Sequence, residues 1–310
     1  MQVIRDIQSF PELSHAVVTS GTFDGVHVGH QKIIQQLIKR TRETNGQSVV
    51  ITYWPHPRLV LNPSGPPVQL LCTIDERIAH LNRFPIDYLL IIPFTRAFAA
   101  LDSREYVQQI LLDTIRTKEL VIGYDHRFGK NREGSFAYLQ QHAATFGFVV
   151  EEIPAQDIDA VTVSSTKIRH ALEKGDIKTA SSYLGHFYSL AGKVVPGKKL
   201  GRTIGYPTAN VAVPEDYKLI PGQGIYAVRV QVKDKIYGGM LSIGTNPTVG
   251  GTQQTIEVHI FNFDEDIYEQ TITLYFVGYI RPEEHFASLD ELKEKLATDQ
   301  TMALTLLKAD

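Results

Sequence analysis

The chain has 310 residues, 43% hydrophobic and 21% charged, with a formal net charge of −3. That length suggests two domains, with apolar material for two cores, and the charge gives no reason to expect nucleic acid or an anionic membrane as partner. Cys72 is the only cysteine, which excludes an internal disulfide and a cysteine-built zinc site and fits a reducing, cytoplasmic setting. Residues Met1–Asp6 hold no apolar signal core, and the most apolar stretch, Tyr88–Phe94, is too short to span a bilayer.

The first half alternates strand and helix patterns. Short β-branched runs at Ala16–Ser20, Ser48–Tyr53, Tyr88–Pro93, Glu119–Gly123 and Phe148–Ile153 are apolar on both faces, as buried parallel strands are. Between them lie helical patterns. One covers about His30–Glu43, with Ile33, Ile34, Leu37 and Ile38 on one face. Others follow Thr73, where Thr73–Glu76 reads as a capping box, follow Asp102, and cover about Ser135–Phe146. Such alternation predicts an α/β domain with a largely parallel sheet. Two short helices, about Ser165–Lys174 and Asp176–Tyr183, close this half, with Gly175 as a stop.

Beyond Leu184, Gly and Pro become dense and the period falls toward two. Ile225–Val232, Ile236–Ile243, Thr255–Phe263 and Thr271–Phe276 read as antiparallel strands, the first pair joined by the tight turn Lys233–Lys235. A last helix opens at Ser288. The second half is expected to be an all-β barrel or sandwich with a C-terminal helix. The boundary is placed between residues 184 and 185.

Three segments carry chemistry. Gly21-Thr22-Phe23-Asp24-Gly25-Val26-His27-Val28-Gly29-His30 follows the first strand and opens the first long helix. A helix N-terminus presents unpaired N–H groups and partial positive charge, which suits phosphate, and in an open α/β sheet that place is the ligand crevice. Gly25 and Gly29 let backbone approach a ligand. His27 and His30 are three apart and can face one phosphate chain, offering imidazole donors to a departing pyrophosphate. A second constellation, Ser165, Thr166 and Arg169, places hydroxyls at a helix start with a guanidinium on the same face. Neither Gly123–Lys130 nor Gly197–Thr203 meets the G-x-x-x-x-G-K-[ST] spacing of a P-loop. In the second half, Gly201-Arg202-Thr203-Ile204-Gly205-Tyr206-Pro207-Thr208-Ala209-Asn210 reads as an irregular glycine-rich loop. Thr208 and Asn210, if extended, point the same way and offer hard oxygens suited to Mg²⁺.

The first of these strings resembles the H-x-G-H signature of the nucleotidylyltransferase superfamily, and its longer form, F-D-G-V-H-x-G-H, the bacterial bifunctional riboflavin kinase/FAD synthetase family. Tyr53-Trp54-Pro55-His56-Pro57 resembles that family's F-x-P-H-P. Gly123–Lys130 resembles its G-x-D-F-x-F-G-K, with His126 where Phe is usual, and Ser164–Arg169 its S-S-T-x-I-R. Gly201–Asn210 resembles the G-R-x-L-G-F-P-T-A-N of riboflavin kinases, Ile243–Thr248 their N-I-G-x-x-P-T, and Thr255–Ile260 their x-V-E-V-H-L. The resemblance runs from about residue 15 to 290.

It implies a Rossmann-like FMN adenylyltransferase domain followed by a riboflavin-kinase barrel, with riboflavin, FMN, FAD and ATP as ligands and Mg²⁺ accompanying ATP. It implies that His27 and His30 act in adenylyl transfer. Gly21, Phe23, Asp24, Gly29, Asp125, Ser165, Thr166, Arg169, Gly201 and Arg202 are expected to bind ATP, and Thr208 and Asn210 the metal. Asp125 is left with adenine, ribose or metal as its partner. Glu257, a carboxylate inside an apolar strand pattern, is the expected general base. Two rivals stay in view: a different nucleotidylyltransferase fused to an unrelated barrel, which leaves Pro207–Asn210 unexplained, and a flavin-binding storage protein, which needs neither the histidines nor Glu257. Oligomeric state is open.

Overall fold

The structure, a computed structural model, describes residues 1–62, 68–154, 163–197, 200–248 and 251–309. It divides into two compact units, Met1–Ser165 and Thr166–Asp310.

The first unit begins with β1 (Gln2–Ile4) and a 3-10 turn at Ile7–Ser9, then β2 (Ala16–Ser20), α1 (Val28–Glu43) and β3 (Gln47–Trp54). There follow α2 (Pro57–Leu61), α3 (Ile74–Leu81), β4 (Tyr88–Pro93) and α4 (Arg96–Ala99). α5 (Ser103–Tyr106) runs into a π-helical stretch, Val107–Thr114, before β5 (Thr117–Gly123), α6 (Phe136–Phe146) and β6 (Val149–Ile153). The strands form one six-stranded sheet in the order β1-β4-β3-β2-β5-β6. All pairings are parallel, with Ala16 opposite Gln47 and Val17 opposite both Ser48 and Glu119.

Alternating residues of each strand feed two cores, because successive side chains leave opposite faces. Val17, Val50, Leu89 and Val121 pack with Ile34 and Leu37 of α1 and Leu81 of α3. Val18, Ile51, Leu90 and Leu120 pack on the other face with Tyr106, Val107 and Leu111. The capping box at Thr73 forms, Glu76 N–H donating to Thr73 Oγ1 and Thr73 N–H to the Glu76 carboxylate. A second box joins Asp102 and Glu105. β1 was not expected: three residues are too few to show a period, and only pairing with β4 makes them a strand.

The second unit opens with α7 (Ser165–Glu173), which begins at the division, and α8 (Ile177–Leu184). β7 (Ser189–Val195), α9 (Leu200–Thr203), β8 (Ala209–Ala212), β9 (Gly224–Val232), β10 (Lys235–Thr248), β11 (Gly251–Ile260), β12 (Thr271–Arg281) and α10 (Leu289–Lys308) follow. The strands close a barrel in the order β10-β11-β8-β7-β12-β9, every pairing antiparallel.

The division falls ahead of the boundary expected after residue 184, because the α7–α8 corner packs with the barrel unit. Gly175, at φ 73°, turns the chain where a Cβ would lie 2.8 Å from the Tyr279 ring, and Gly222 N–H donates to Leu172 O at 2.9 Å. β7 and β8 were not expected either. β7 carries Gly192 at its centre, where a Cβ would collide with Val211 and the Ala212 carbonyl of β8, and β8 has only four residues. The segment read as an irregular loop from Gly201 to Asn210 is therefore corrected: it begins inside the turn of α9 and ends inside β8. Asp299 of α10 receives two bonds from Arg281, tying the helix to the end of β12.

Candidate functional site

In the first unit, connections from β2 run through β3 to β4 on one side, while β5 and β6 lie on the other. The C-terminal ends of β2 and β5 thus flank the switch point where open α/β sheets bind ligands. The segment after β2 is Gly21–His27, leading into α1. It is held in an unusual conformation, with Phe23, Gly25 and Val26 at φ 48°, 81° and 41°. A β-branched residue at positive φ is costly and persists only when its surroundings enforce it. Here Asp24 Oδ1 accepts from Leu71 N–H and Cys72 N–H at 3.0 and 3.2 Å, Gly25 N–H reaches Cys72 Sγ at 3.1 Å, and Gln31 Nε2 donates to Val26 O at 2.9 Å.

Asp24, expected to bind ATP, therefore has its carboxylate turned into the protein, where it shapes the loop. Phe23 is buried, and its ring lies on Gly21, where a Cβ would be 3.2 Å away. Gly29 is buried in the first turn of α1.

His27 caps α1, its Nδ1 accepting from His30 N–H at 3.4 Å. An accepting nitrogen carries no hydrogen, so the proton of neutral His27 sits on Nε2. The two imidazoles stack with centroids 3.6 Å apart and planes at 17°, and Phe23 meets His30 edge-on. Burial first, then the charges of His27 and Arg77, hold the His30 pKa well below the ordinary imidazole value. His30 Nδ1 is buried and has no hydrogen-bond partner. The stacked pair is thus pre-positioned in front of a helix N-terminus, with His30 held in its uncharged form.

Ser165 joins this loop, its Oγ donating to Asp24 O at 3.2 Å. Thr166 and Arg169 belong to the second unit, exposed and half-buried respectively on the first turns of α7. Across the switch point, Asp125 is exposed in the turn after β5. His126 follows it and lies 3.4 Å from Ser20 Oγ at the end of β2. Its pKa is lowered to about 4 by burial, then by Arg127 and Arg132.

Sequence reasoning missed Arg77. It lies inside α3, fully buried, with Nη1 donating to Thr52 Oγ1 at 3.0 Å and Tyr53 O at 3.2 Å. Thr52 Oγ1 in turn donates to Thr22 O at 3.2 Å. An arginine inside an amphipathic helix reads from sequence as a solvated residue, and no signal in the chain distinguishes this one.

The second site lies on the outside of the barrel. Along β11, Ile256, Val258 and Ile260 are buried, while Glu257 and His259 are half-buried on the opposite face. Glu257 pairs across strands with Asn210 of β8 and Ser242 of β10, which places all three on one face. Thr208 Oγ1 donates to Glu257 Oε2 at 3.1 Å. The only hydrogen of that hydroxyl is so committed, leaving its lone pairs free for a cation.

Behind this group, a Cβ at Gly201 would run into the Tyr206 carbonyl, and Asn210 covers Gly197 where a Cβ would be. Arg202 is exposed on α9. His259, given no role from sequence, shapes the segment: its Nδ1–H donates to Pro207 O at 2.8 Å and its ring meets Tyr206 edge-on at 5.3 Å. Glu257, Thr208 and Asn210 are brought together as expected. The side chains of Asn246–Thr248 lie outside the described residues.

Among the described residues, no group of three His, Cys, Asp or Glu side chains is arranged to hold a metal, and no helix is long and apolar enough to cross a membrane.

A family model for FAD synthetase matches residues 9–167, and one for riboflavin kinase matches residues 184–307. A bifunctional riboflavin kinase/FMN adenylyltransferase of Haemophilus influenzae is 36% identical over 301 residues, covering 96% of this chain and 97% of its own. Its namesake in Escherichia coli K12 is 38% identical over 306 residues, covering 98% and 97%. A solved structure from Streptococcus pneumoniae, described as a macrolide-efflux protein, superposes with a TM-score of 0.88 at 32% identity, covering 97% of this chain and 98% of that one.

Proposed function

The chain belongs to the bifunctional riboflavin kinase/FMN adenylyltransferase family and makes FAD from riboflavin in two ATP-dependent transfers, and we propose which of its residues perform each. In the first unit the FMN phosphate attacks the α-phosphorus of ATP, and the bond to the β-phosphate breaks with pyrophosphate leaving. No protein nucleophile is needed. The N-terminus of α1 and the stacked His27–His30 pair receive the charge that develops on the departing group. Gly21 and Gly29 keep the backbone close to it, and Ser165, Thr166, Arg169 and Asp125 complete the nucleotide contacts.

In the second unit the γ-phosphoryl of ATP passes to the ribityl 5′-hydroxyl. Glu257 takes the hydroxyl proton. Thr208 and Asn210 present oxygens to the Mg²⁺ that accompanies ATP, while Gly201 and Arg202 meet the nucleotide. Bound Mg²⁺ supplies charge neutralisation on the phosphates. The donor set suits it: hard oxygens, with the hydroxyl hydrogen turned toward Glu257. A division of labour at residues 184/185 follows the two family models, which meet the chain at 9–167 and 184–307. The single buried thiol, engaged with Gly25 and Asp24, supports a cytoplasmic setting.

The observation that supports the residue assignment is that each unit holds its own cluster of the expected residues, one in front of the α1 N-terminus and one on an outer barrel face. Incubation with riboflavin and MgATP, resolved by chromatography over time, tests it. FMN should rise first and FAD follow, and a preparation that leaves riboflavin unmodified refutes the assignment.

A further inference from the structure

The guanidinium of Arg77 presents a problem that the fold alone does not solve. Its side chain has no exposed surface. Nη1 is satisfied by Thr52 and Tyr53, but Nε and Nη2 are buried without a hydrogen-bond partner. No carboxylate pairs with it among the described residues. The Trp54 ring, 6.0 Å from Cζ, is its one further compensation, and a ring at that distance offsets little of the cost of an unpaired buried charge. A lysine could escape by losing its proton, but a guanidinium cannot.

A purely structural arginine would need only the Nη1 bonds that join α3 to the end of β3. Two donors and a full positive charge are left over. The charge contributes, after burial and His27, to the lowered pKa of His30, and His30 Nδ1 is itself buried without a partner. The same guanidinium is linked through Thr52 Oγ1 to the Thr22 carbonyl of the loop. The segment leading into its helix is bolted to that loop through Asp24, Leu71 and Cys72. A buried charge with two donors left over is therefore tied through Thr52 to the loop of the first site.

We propose that Arg77 is a buried counter-charge of the first site, held by Thr52 and Tyr53 beside His30 to balance the polyphosphate of the nucleotide and the pyrophosphate that leaves. The anion that the described residues do not supply is the one the substrate brings. In a low-dielectric wall such a charge acts on the phosphates without reaching water, and it is already in place when the Pα–O bond breaks. The inference rests on the reading of Gly21–His30 as the nucleotide site.

Full-length wild type, R77M and R77K separate the possibilities. Inorganic pyrophosphate with Mg²⁺, titrated by calorimetry, is the binding probe, and conversion of FMN to FAD and of riboflavin to FMN are the activities. R77M should lose about ten-fold or more in pyrophosphate affinity and about 10²-fold in kcat for FAD formation, with FMN formation unchanged. R77K, whose buried amine can shed its proton, should fall between wild type and R77M in pyrophosphate affinity. If R77M disrupts the first unit, R77Q replaces it, since its amide still donates to Tyr53 O, and the same losses are expected. A neutral variant that binds pyrophosphate like wild type overturns the proposal. Wild type failing to bind pyrophosphate would instead bring down the site assignment together with it.

Discussion

The two sites solve phosphate chemistry in opposite ways. The proposed first site is built from enclosed groups: stacked imidazoles, a loop held at positive φ and a buried guanidinium with no carboxylate partner among the described residues. The second stands on an outer barrel face, where Glu257 already shares a hydrogen bond with Thr208 and only the strand beneath is buried. The difference follows from what each transfer demands. Adenylyl transfer uses a nucleophile that is already an anion, so the protein's contribution is electrostatic and gains from a dry, fixed setting. Phosphorylation of an alcohol needs a carboxylate that is ionised and ready to take a proton, which a wetter position favours.

Four measurements can break or sharpen that contrast. The largest effect is expected from Glu257→Ala, which should slow FMN formation by roughly 10² to 10⁴-fold while supplied FMN still becomes FAD. Equal damage to both conversions would mean a folding defect rather than a lost base. Next comes His30→Ala, which should cost about 3 kcal/mol of transition-state stabilisation in FAD formation, leaving FMN to accumulate. Undiminished FAD synthesis would remove His30 from the site.

The third is a pH effect on stability. His30 and His126 have folded pKa values below the imidazole norm, that of His126 at about 4. Between about pH 6.5 and 4 the unfolded chain binds protons that the folded one refuses. Stability is therefore full above the upper limit and is lost as pH falls through that window, by up to about 1.4 kcal/mol per pH unit and per histidine. In the second unit Tyr226 and Tyr279 have raised values, which act at alkaline rather than acid pH, so the acid loss traced to His30 and His126 should appear in the first unit. Trp54 is the only tryptophan and lies in the first unit, so its fluorescence during thermal unfolding at pH 7.5 and 5 reads that unit separately. An acid shift confined to the barrel would contradict the contrast. The smallest effect is expected from His259→Ala, which frees the Pro207 carbonyl. The loss of about 0.5 to 1.5 kcal/mol should appear as a raised KM for MgATP in the kinase reaction, with FAD formation from FMN untouched.

Much of both sites was legible because their signals are local. The H-x-G-H string sits between a strand and a helix in one continuous segment, and β8 delivers Thr208 and Asn210 two residues apart. What escaped was whatever depended on a distant partner. Asp24 reads as a loop carboxylate open to ligand, yet Leu71 and Cys72, far along the chain, claim it. His259 gains its role only when Pro207 folds over β11. β7 and β8 are too short or too glycine-rich to announce themselves and become strands by closing the barrel.

From its order of residues alone this chain declared an α/β half followed by a β half and the loops proposed to handle phosphate, because period, caps and glycine spacing act over a few residues. Burial decided the rest. Arg77 is an ordinary helix arginine in one dimension; only the packing of α3 against the end of β3 takes away its water and its partners, and so turns a common side chain into a fixed charge.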